Sequence, residues 1–192
     1  MFPVERRYSM KTEHFMIQGS GKTPLCAVIW QPAQNVKAVL QITEHSRVHC
    51  DGKTVSDCGK GMCVLLGFRE GDSTEEADRM IDKILKMRIF ADEKGKLNLS
   101  SLQIGADLLV ISNFTLYANC ASRRPDFLQA MKFAPAKELY EYFLNTMQKQ
   151  ADLLAESNAP RVRVFPGVFG GDMKVEILND GPITIVLDSE DF

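Results

Sequence analysis

Apolar positions between residues 37 and 68 follow the spacing of β-strands. KAVLQIT and VHCDGKTVSD combine apolar and β-branched residues with polar ones, and GMCVLLGF is a continuous apolar run, as in a strand buried on both faces. Asp51 and Gly52 interrupt the second segment with a pair that readily adopts the positive φ angles of a tight turn. The pattern therefore predicts strands in this region, with a hairpin turn at residues 51–52.

Two later segments have the period of amphipathic helices. The first is predicted from Ser73 to Phe90, because Ser73 and Glu76 have the spacing of a capping box. Its apolar positions are Ala77, Met80, Ile81, Ile84 and Leu85. The second is predicted to begin near Pro135, a residue favoured in the first helical turn, and to end at about Leu154. Its apolar positions are Leu139, Tyr140, Phe143 and Met147.

The remaining segments complete a sheet. DEKGKLN is predicted as a turn between short strands, DLLVISNFTLY as a central strand, and residues 173–178 and 183–187 as two C-terminal strands. Strands cluster at both ends of this region, with two helices between them. We therefore expect the α/β class with α+β character, a single domain of mixed, largely antiparallel sheets packed by two main helices.

The first 35 residues differ in character from the rest. They mix short apolar pieces with Pro, Gly and charge, so residues 1–35 are predicted to be an N-terminal extension and residues 36–192 the domain. Two alternatives stay open for the extension: a targeting segment, or an extra strand at LCAVIW. GSGKT at 19–23 is not a phosphate-binding loop, because Met16 stands where that loop requires its first Gly.

Composition narrows the function classes. A chain of 192 residues with 45% hydrophobic content is long enough for one core, and no apolar run approaches the roughly 18 residues of a membrane span. A formal charge of −2 argues against an extended surface that binds a nucleic-acid duplex. We therefore expect a protein with no membrane association, in which any basic patch is local.

Cysteine and histidine spacing predicts neither disulfides nor a metal site. The five Cys residues form no C-x-x-C pair, which favours a reducing, cytoplasmic location. His45, His49 and Cys50 lie close together, but no carboxylate-rich or paired-cysteine spacing completes a set of metal ligands. We expect no metal and no other cofactor.

Two features do not suit plain strands. Ser112, Asn113 and Thr115 interrupt the apolar run LLVISNFTLY, and each is either locally hydrogen-bonded at a strand end or placed at a cavity. Gly181 and Pro182 lie between the two C-terminal strands, where Gly has no side chain and Pro has no N–H. They are either a simple turn or a place where free carbonyl groups meet a ligand.

From about residue 37 to residue 189 the chain resembles the D-aminoacyl-tRNA deacylase family, also called D-tyrosyl-tRNA deacylases. NDGPIT matches the family motif Asn-x-Gly-Pro-x-Thr, and SNFTLY matches Ser-Gln-x-x-Thr except at Asn113. Four further segments follow the family in order and spacing: DGKTVSDCGKGMCVLLGFREGD, KMRIFADEKGKLNLS, RRPDF and GVFGGDMKVEILNDGP.

The resemblance implies an enzyme that hydrolyses the ester of D-aminoacyl-tRNA, and of glycine on a non-cognate tRNA, in translation quality control. It implies a homodimer in which Gly181 and Pro182 of one subunit enter the other's pocket and exclude L side chains. The implied catalytic segment is Ser112, Asn113, Phe114 and Thr115. The implied substrate-binding residues are Gly181, Pro182, Phe169, Met173, Asn179 and Thr184, with Phe169 and Met173 at the terminal adenine. Arg123, Arg124, Lys132 and Lys137 are candidates for phosphate contacts.

Two schemes can account for hydrolysis of the ester. Thr115 can act as a nucleophile, or backbone N–H groups around Phe114 and Thr115 can stabilise an oxyanion while the ribose 2′-OH assists water. We favour the second scheme, because no general base lies near Thr115 in the sequence.

Two positions depart from the family pattern. Asn113 is one methylene shorter than the expected Gln, and Ile42 stands where the family has an Arg that helps to hold the Gly-Pro loop inward. Without that Arg, the Gly181-Pro182 bond can be either cis or trans. Three functions follow: a D-specific deacylase, a relaxed-chirality deacylase that also removes L-amino acids, or a nucleic-acid-binding module with a vestigial pocket.

Overall fold

The computed structural model of this chain describes residues 34–155 and 160–192. Its strands are β1 Lys37–Cys50, β2 Lys53–Cys58, β3 Gly61–Gly67, β4 Phe90–Ala91, β5 Leu97–Leu99, β6 Asp107–Ser112, β7 Arg163–Pro166 and β8 Met173–Asp188. Its helices are α1 Thr74–Lys86, α2 Ser101–Ile104 and α3 Phe133–Leu154, with short 3-10 turns at Phe114–Tyr117 and Ser189–Asp191. The strand predicted at LCAVIW and the predicted extension, apart from Gln34 and Asn35, lie outside the described residues.

Six strands form one mixed sheet. Their order is β2-β1-β3-β6-β7, and β8 pairs with the other edge of β1. All pairs that involve β1 are antiparallel, whereas β3, β6 and β7 run parallel to one another. The Ser56 hydroxyl on β2 donates to the Pro166 carbonyl on β7 at 2.7 Å, so the sheet is nearly closed. The predicted mixed, largely antiparallel architecture is confirmed.

The local turn and cap signals are confirmed. Asp51 and Gly52 have φ angles of 50° and 73°, as the hairpin between β1 and β2 requires. The Ser73 and Glu76 side chains cap α1 reciprocally, with Ser73 N–H donating to the Glu76 carboxylate at 2.9 Å. α3 begins two residues before Pro135, which lies in its first turn, where a missing N–H leaves no helical bond unmade.

Three predicted boundaries are wrong. α1 ends at Lys86 rather than at Phe90, because Met87 is extended and Phe90 pairs instead with Leu99. The central strand ends at Ser112, and the rest of the predicted strand is a 3-10 turn. The two C-terminal strands are one long strand, β8, which is interrupted in register only.

The main core lies between the sheet and the two long helices. Its largest fully buried side chains include Phe143 and Met147 from α3, Met80 and Ile81 from α1, and Leu108 from β6. A second apolar cluster lies elsewhere in the sheet and comprises Val48, Cys58, Cys63, Leu109 and Ile111. Among the described residues, no helix combines the length and apolar character that crossing a bilayer requires.

Asp72 gives the fold a specific pH dependence. Its carboxylate is 9% exposed, it accepts the Arg69 N–H at 2.7 Å, and burial raises the pKa of Asp72 from 3.8 to about 6. The folded protein therefore binds this proton more tightly than the unfolded chain does. The resulting stabilisation is present below about pH 4 and is lost as the pH rises through about 6.

We expect the Asp72→Asn substitution to flatten this dependence. The free energy of unfolding of the unmodified protein should contain a component of up to about 3 kcal/mol that disappears between pH 4 and pH 6.5, and Asp72→Asn should lack it. Urea unfolding at several pH values measures the difference, with the exposed Asp191→Asn as the matched control. The same slope in Asp72→Asn and in the control would contradict the assignment.

Candidate active site

The carboxyl ends of three parallel strands share one edge of the sheet. β3, β6 and β7 end at Gly67, Ser112 and Pro166, and the segments that follow them meet there. The Asn113 N–H donates to the Leu66 carbonyl at 2.7 Å, and the Gly167 N–H donates to the Val110 carbonyl at 2.8 Å. Ligands of sheets with parallel strands bind at such edges.

The predicted catalytic segment turns sharply after β6. Asn113 caps the 3-10 turn, because its side-chain oxygen accepts the Thr115 N–H at 3.1 Å and also accepts the Thr115 hydroxyl. At the other end of the turn, the Tyr117 hydroxyl donates to the Asn35 carbonyl. Thr115 is exposed, and Ser112 and Asn113 are half-buried. Asn113 and Thr115 therefore belong to a capped turn at the surface, directly after Ser112 at the end of β6.

Backbone donors are available in this turn. The Phe114 N–H has no partner within residues 34–155 and 160–192, whereas the Thr115 N–H is occupied by the Asn113 side chain. Gly67 lies directly beneath the turn, since a Cβ atom at this position would lie 2.9 Å from the Asn113 carbonyl oxygen. The turn thus presents one open N–H group, and a second that becomes available if Asn113 rotates away.

Phe169 lies on the neighbouring turn after β7, and Met173 is the first residue of β8. The Phe169 ring packs against Phe133 at 5.1 Å and Tyr140 at 5.5 Å between ring centroids. The Met173 sulfur accepts the Val168 N–H at 3.2 Å. Phe169 therefore forms an aromatic surface with Phe133 and Tyr140 beside the main core, whereas Met173 packs against the second apolar cluster.

Two residues of this surface were not predicted as site residues. Phe133 is 65% exposed at the start of α3, and Tyr140 appeared only as an apolar helix position. The Tyr140 hydroxyl donates to the Val110 carbonyl at 2.8 Å and accepts the Gly167 N–H at 3.1 Å. Burial raises the pKa of Tyr140 to about 12, so its hydroxyl remains a donor at neutral pH. Tyr140 thus ties β6 to the turn that carries Phe169.

Gly181 and Pro182 lie in a bulge within β8. Gln41 pairs with Thr184 and Thr43 pairs with Asn179, so the four residues 180–183 stand opposite Ile42 alone. Gly181 has a φ of 117°, both residues are exposed, and the bond between them is cis.

The two other residues of the NDGPIT motif frame this loop. The Asn179 side-chain amide donates to the Ile183 carbonyl at 3.3 Å across the base of the loop. Asn179 is half-buried, and its Oδ1 atom is buried without a hydrogen-bond partner in the described part of the chain. Thr184 is exposed and restores pairing with β1.

Ile42 contributes to the core and offers nothing polar to the Gly-Pro loop. It is 3% exposed, belongs to the main apolar cluster and pairs with Met62 on β3. The position therefore stabilises the sheet beneath the loop through apolar packing alone.

Within one chain, Gly181 and Pro182 lie far from the 3-10 turn. The turn follows Ser112, which is level with Ala38 on β1, whereas the loop is level with Ile42. The two sites are three strand spacings and four residues apart, or on the order of 20 Å along the sheet. The structure brings Ser112–Thr115 and Phe169–Met173 to one edge and leaves the Gly-Pro loop elsewhere.

Comparisons with known proteins agree on one family. The sequence profile described as D-Tyr-tRNA(Tyr) deacylase matches residues 39–188. A curated protein of Clostridium botulinum, strain Alaska E43, named D-aminoacyl-tRNA deacylase, is 48% identical over 155 residues, covering 80% of this chain and 97% of the relative. A protein of the same name from Clostridium beijerinckii is 46% identical over 156 residues, covering 81% of this chain and 98% of the relative.

Two solved structures match this chain in fold. The structure titled c-Myc DNA Unwinding Element Binding Protein matches with a TM-score of 0.69 and 36% identity, over 79% of this chain and 97% of that chain. A probable eukaryotic D-amino acid tRNA deacylase matches in fold, with a TM-score of 0.67 at 20% identity, over 80% of this chain and 99% of that chain. The profile match and the identity to curated relatives show that the chain belongs to the D-Tyr-tRNA(Tyr) deacylase family.

Proposed function

We propose that this protein hydrolyses the ester bond of D-aminoacyl-tRNA and releases the free amino acid and tRNA, as part of translation quality control in the cytoplasm. Family membership supports the reaction class, and the curated relatives carry this activity in their names. The observation that carries the proposal is the position of the exposed Gly181-Pro182 loop on β8. It lies about 20 Å along the sheet from the 3-10 turn of the same chain. Glycine on a non-cognate tRNA is a further expected substrate.

The reaction requires stabilisation of a negatively charged oxygen. Water adds to the ester carbonyl carbon, the bond to the ribose 3′-oxygen breaks, and a proton passes to that oxygen. The Phe114 N–H, together with the Thr115 N–H once Asn113 has rotated, would bind the developing oxyanion. The ribose 2′-OH of the substrate would position the attacking water.

Chirality would be selected by a second copy of the chain. The carbonyl groups of Gly181 and Pro182 from the partner subunit would hold the α-amino group, and an L side chain would then collide with the loop. Discrimination by exclusion fits a loop whose first residue has no side chain. Asn179 and Thr184 would support the loop from its two ends.

Two surfaces of the described domain fit a homodimer. β8 pairs with β1 along one edge, and no strand among the described residues pairs with its other edge. Half-buried apolar side chains also pack around the second cluster: Leu65, Phe165, Met173, Val175 and Ile177. An unpaired edge beside an incompletely covered apolar face suits an isologous interface with a second copy.

A parallel deacylation assay tests the proposal. We expect hydrolysis of D-tyrosyl-tRNA and no acceleration for L-tyrosyl-tRNA above the rate without enzyme. Hydrolysis of both would support the relaxed-chirality deacylase instead. Hydrolysis of neither would favour a nucleic-acid-binding module, for which the 36% identity to a protein titled as a DNA unwinding element binding protein is the relevant observation.

The backbone scheme predicts that Thr115→Ala retains at least about a tenth of the unmodified kcat, because the substitution leaves the Phe114 and Thr115 N–H groups in place. Single-turnover hydrolysis of D-tyrosyl-tRNA measures the effect. Thr115→Ser is the matched control, since it keeps the hydroxyl group. A loss of about 1,000-fold in Thr115→Ala with retention in Thr115→Ser would instead support Thr115 as a nucleophile.

A further inference from the structure

A hydrogen-bonded loop, residues 119–131, lies beside the 3-10 turn. Its two arms are joined by backbone bonds in both directions between Asn119 and Asp126, of 2.8 and 3.1 Å, and by a side-chain bond of 3.1 Å. The Met131 N–H donates to the Phe68 carbonyl at 3.0 Å, and the Glu70 N–H donates to the Gln129 carbonyl at 3.1 Å. The loop is therefore fixed to the end of β3.

This loop presents apolar side chains to solvent next to the catalytic segment. Phe127 packs edge-to-face on Phe114, with 5.0 Å between ring centroids and an interplanar angle of 75°. Phe114 and Leu128 are 57% and 88% exposed, and Phe127 is 36% exposed. Such a group of exposed apolar side chains costs free energy in water and is typical of a surface that binds something.

The charges on the loop are mainly positive. Arg123 and Arg124 on the loop, and Lys132 directly after it, are not ion-paired in any described part of the chain. The acidic side chain of Asp126 is already engaged, because it accepts hydrogen bonds from Asn119 and from the Leu128 N–H. Aromatic faces beside unpaired guanidinium groups are the combination that binds single-stranded nucleic acid.

We infer that residues 123–128 bind the unpaired nucleotides that immediately precede the terminal adenosine of tRNA. A base would stack on Phe127 and Leu128, and its phosphate groups would contact Arg123 and Arg124. The inference rests on the proposed function: Phe114 lies next to the reacting ester in that proposal, and Phe127 touches Phe114. In the same proposal the terminal adenine binds at the Phe169 surface. The preceding nucleotide is therefore the part of the substrate that would contact this loop.

The kinetic test compares two esters. D-tyrosyl-adenosine carries no preceding nucleotide, whereas D-tyrosyl-tRNA does. We expect Phe127→Ala to raise the KM for D-tyrosyl-tRNA by on the order of 10-fold relative to the KM for D-tyrosyl-adenosine, and Phe127→Trp to restore the ratio. Leu153→Ala is the control, because Leu153 is also apolar and 83% exposed but lies in the last turn of α3. Equal changes in both KM values, or no change, would overturn the inference.

A binding test separates this inference from the proposed function. The probe is the RNA trinucleotide 5′-CCA-3′, compared with adenosine, and binding is measured by isothermal titration calorimetry at several salt concentrations. The protein should bind CCA at least about 10-fold more tightly than adenosine, and Phe127→Ala should remove the difference. Replacing Arg123 and Arg124 by Gln should make the slope of log K against log salt concentration shallower by about 0.7 for each phosphate contact that is lost. Binding that depends on Phe127 in a protein without deacylase activity would contradict only the proposed function. Deacylation without this difference in binding would contradict only the inference.

Discussion

Gly181→Ala is expected to lower the rate of D-tyrosyl-tRNA hydrolysis by at least about 100-fold. A Cβ atom at this position would lie 2.7 Å from Ile183 Cγ1 and 2.9 Å from the Ile183 backbone nitrogen, so the loop would have to shift. The φ of 117° is also rarely adopted by residues with side chains. A displacement of about 1 Å at a positioning group can cost 100-fold in rate.

Single-turnover kinetics measure this loss, and circular dichroism checks that the variant remains folded. Gly95→Ala is the matched control, because Gly95 also has a positive φ, of 72°, while no other described residue places an atom within 4 Å of a Cβ there. Both substitutions carry the conformational cost of a positive φ, but only Gly181→Ala moves the loop. Near-normal activity in a folded Gly181→Ala protein would show that the loop does not contact the substrate.

Gly67→Ala is expected to reduce kcat by about 100-fold as well, by acting on the other side of the site. The new methyl group would meet the Asn113 carbonyl oxygen at 2.9 Å, Leu116 Cβ at 3.1 Å and the Tyr117 ring at 3.2 Å. These atoms belong to the 3-10 turn and its cap, so relief of the clash would move the Phe114 and Thr115 N–H groups away from their proposed position at the substrate carbonyl.

The same kinetic assay measures the effect of Gly67→Ala. Gly59→Ala serves as the control, since among the described residues its methyl group would meet just the Asp107 carboxylate oxygen, at an ordinary 3.5 Å. A Gly67→Ala protein that unfolds with the same midpoint as Gly59→Ala and keeps full kcat would rule out the backbone of this turn as the oxyanion site.

The features that the sequence predicted well are specified by neighbouring residues. Asp51 and Gly52 carry their own preference for positive φ, and Ser73 and Glu76 satisfy each other's backbone groups within one helical turn. The continuous apolar run of β3 is covered on both faces by the two clusters. In each case the signal and the structure lie within a few residues of each other.

The end of β6 at Ser112 shows where the local hydrophobic pattern fails to predict the structure. The apolar residues after Thr115 extend the strand pattern, but the Asn113 side chain captures the Thr115 N–H and so diverts the chain from the sheet ladder. Leu116 and Tyr117 then pack over Gly67 instead of alternating between two faces. A side-chain hydrogen bond outweighed apolar periodicity here.

The aromatic surface around Phe169 depends on tertiary contacts. Phe133, Tyr140 and Phe169 come from α3 and from the turn after β7, and nothing in either segment alone indicates that they meet. The same holds for Phe114 and Phe127. The family resemblance assigned roles to Phe169 and Phe114, and the structure supplied their neighbours.

Subunit mixing tests most directly the central claim that D-aminoacyl-tRNA is hydrolysed in a pocket completed by the partner's Gly-Pro loop. Gly181→Ala and Gly67→Ala proteins would be mixed in equal amounts, allowed to exchange subunits, and assayed on D-tyrosyl-tRNA. Half of the randomly reassorted dimers are hybrids, and each hybrid contains one pocket with an intact turn and an intact partner loop. We therefore expect activity to recover to about a quarter of the unmodified level. No recovery above the two separate variants, with exchange demonstrated by mass spectrometry, would contradict the claim.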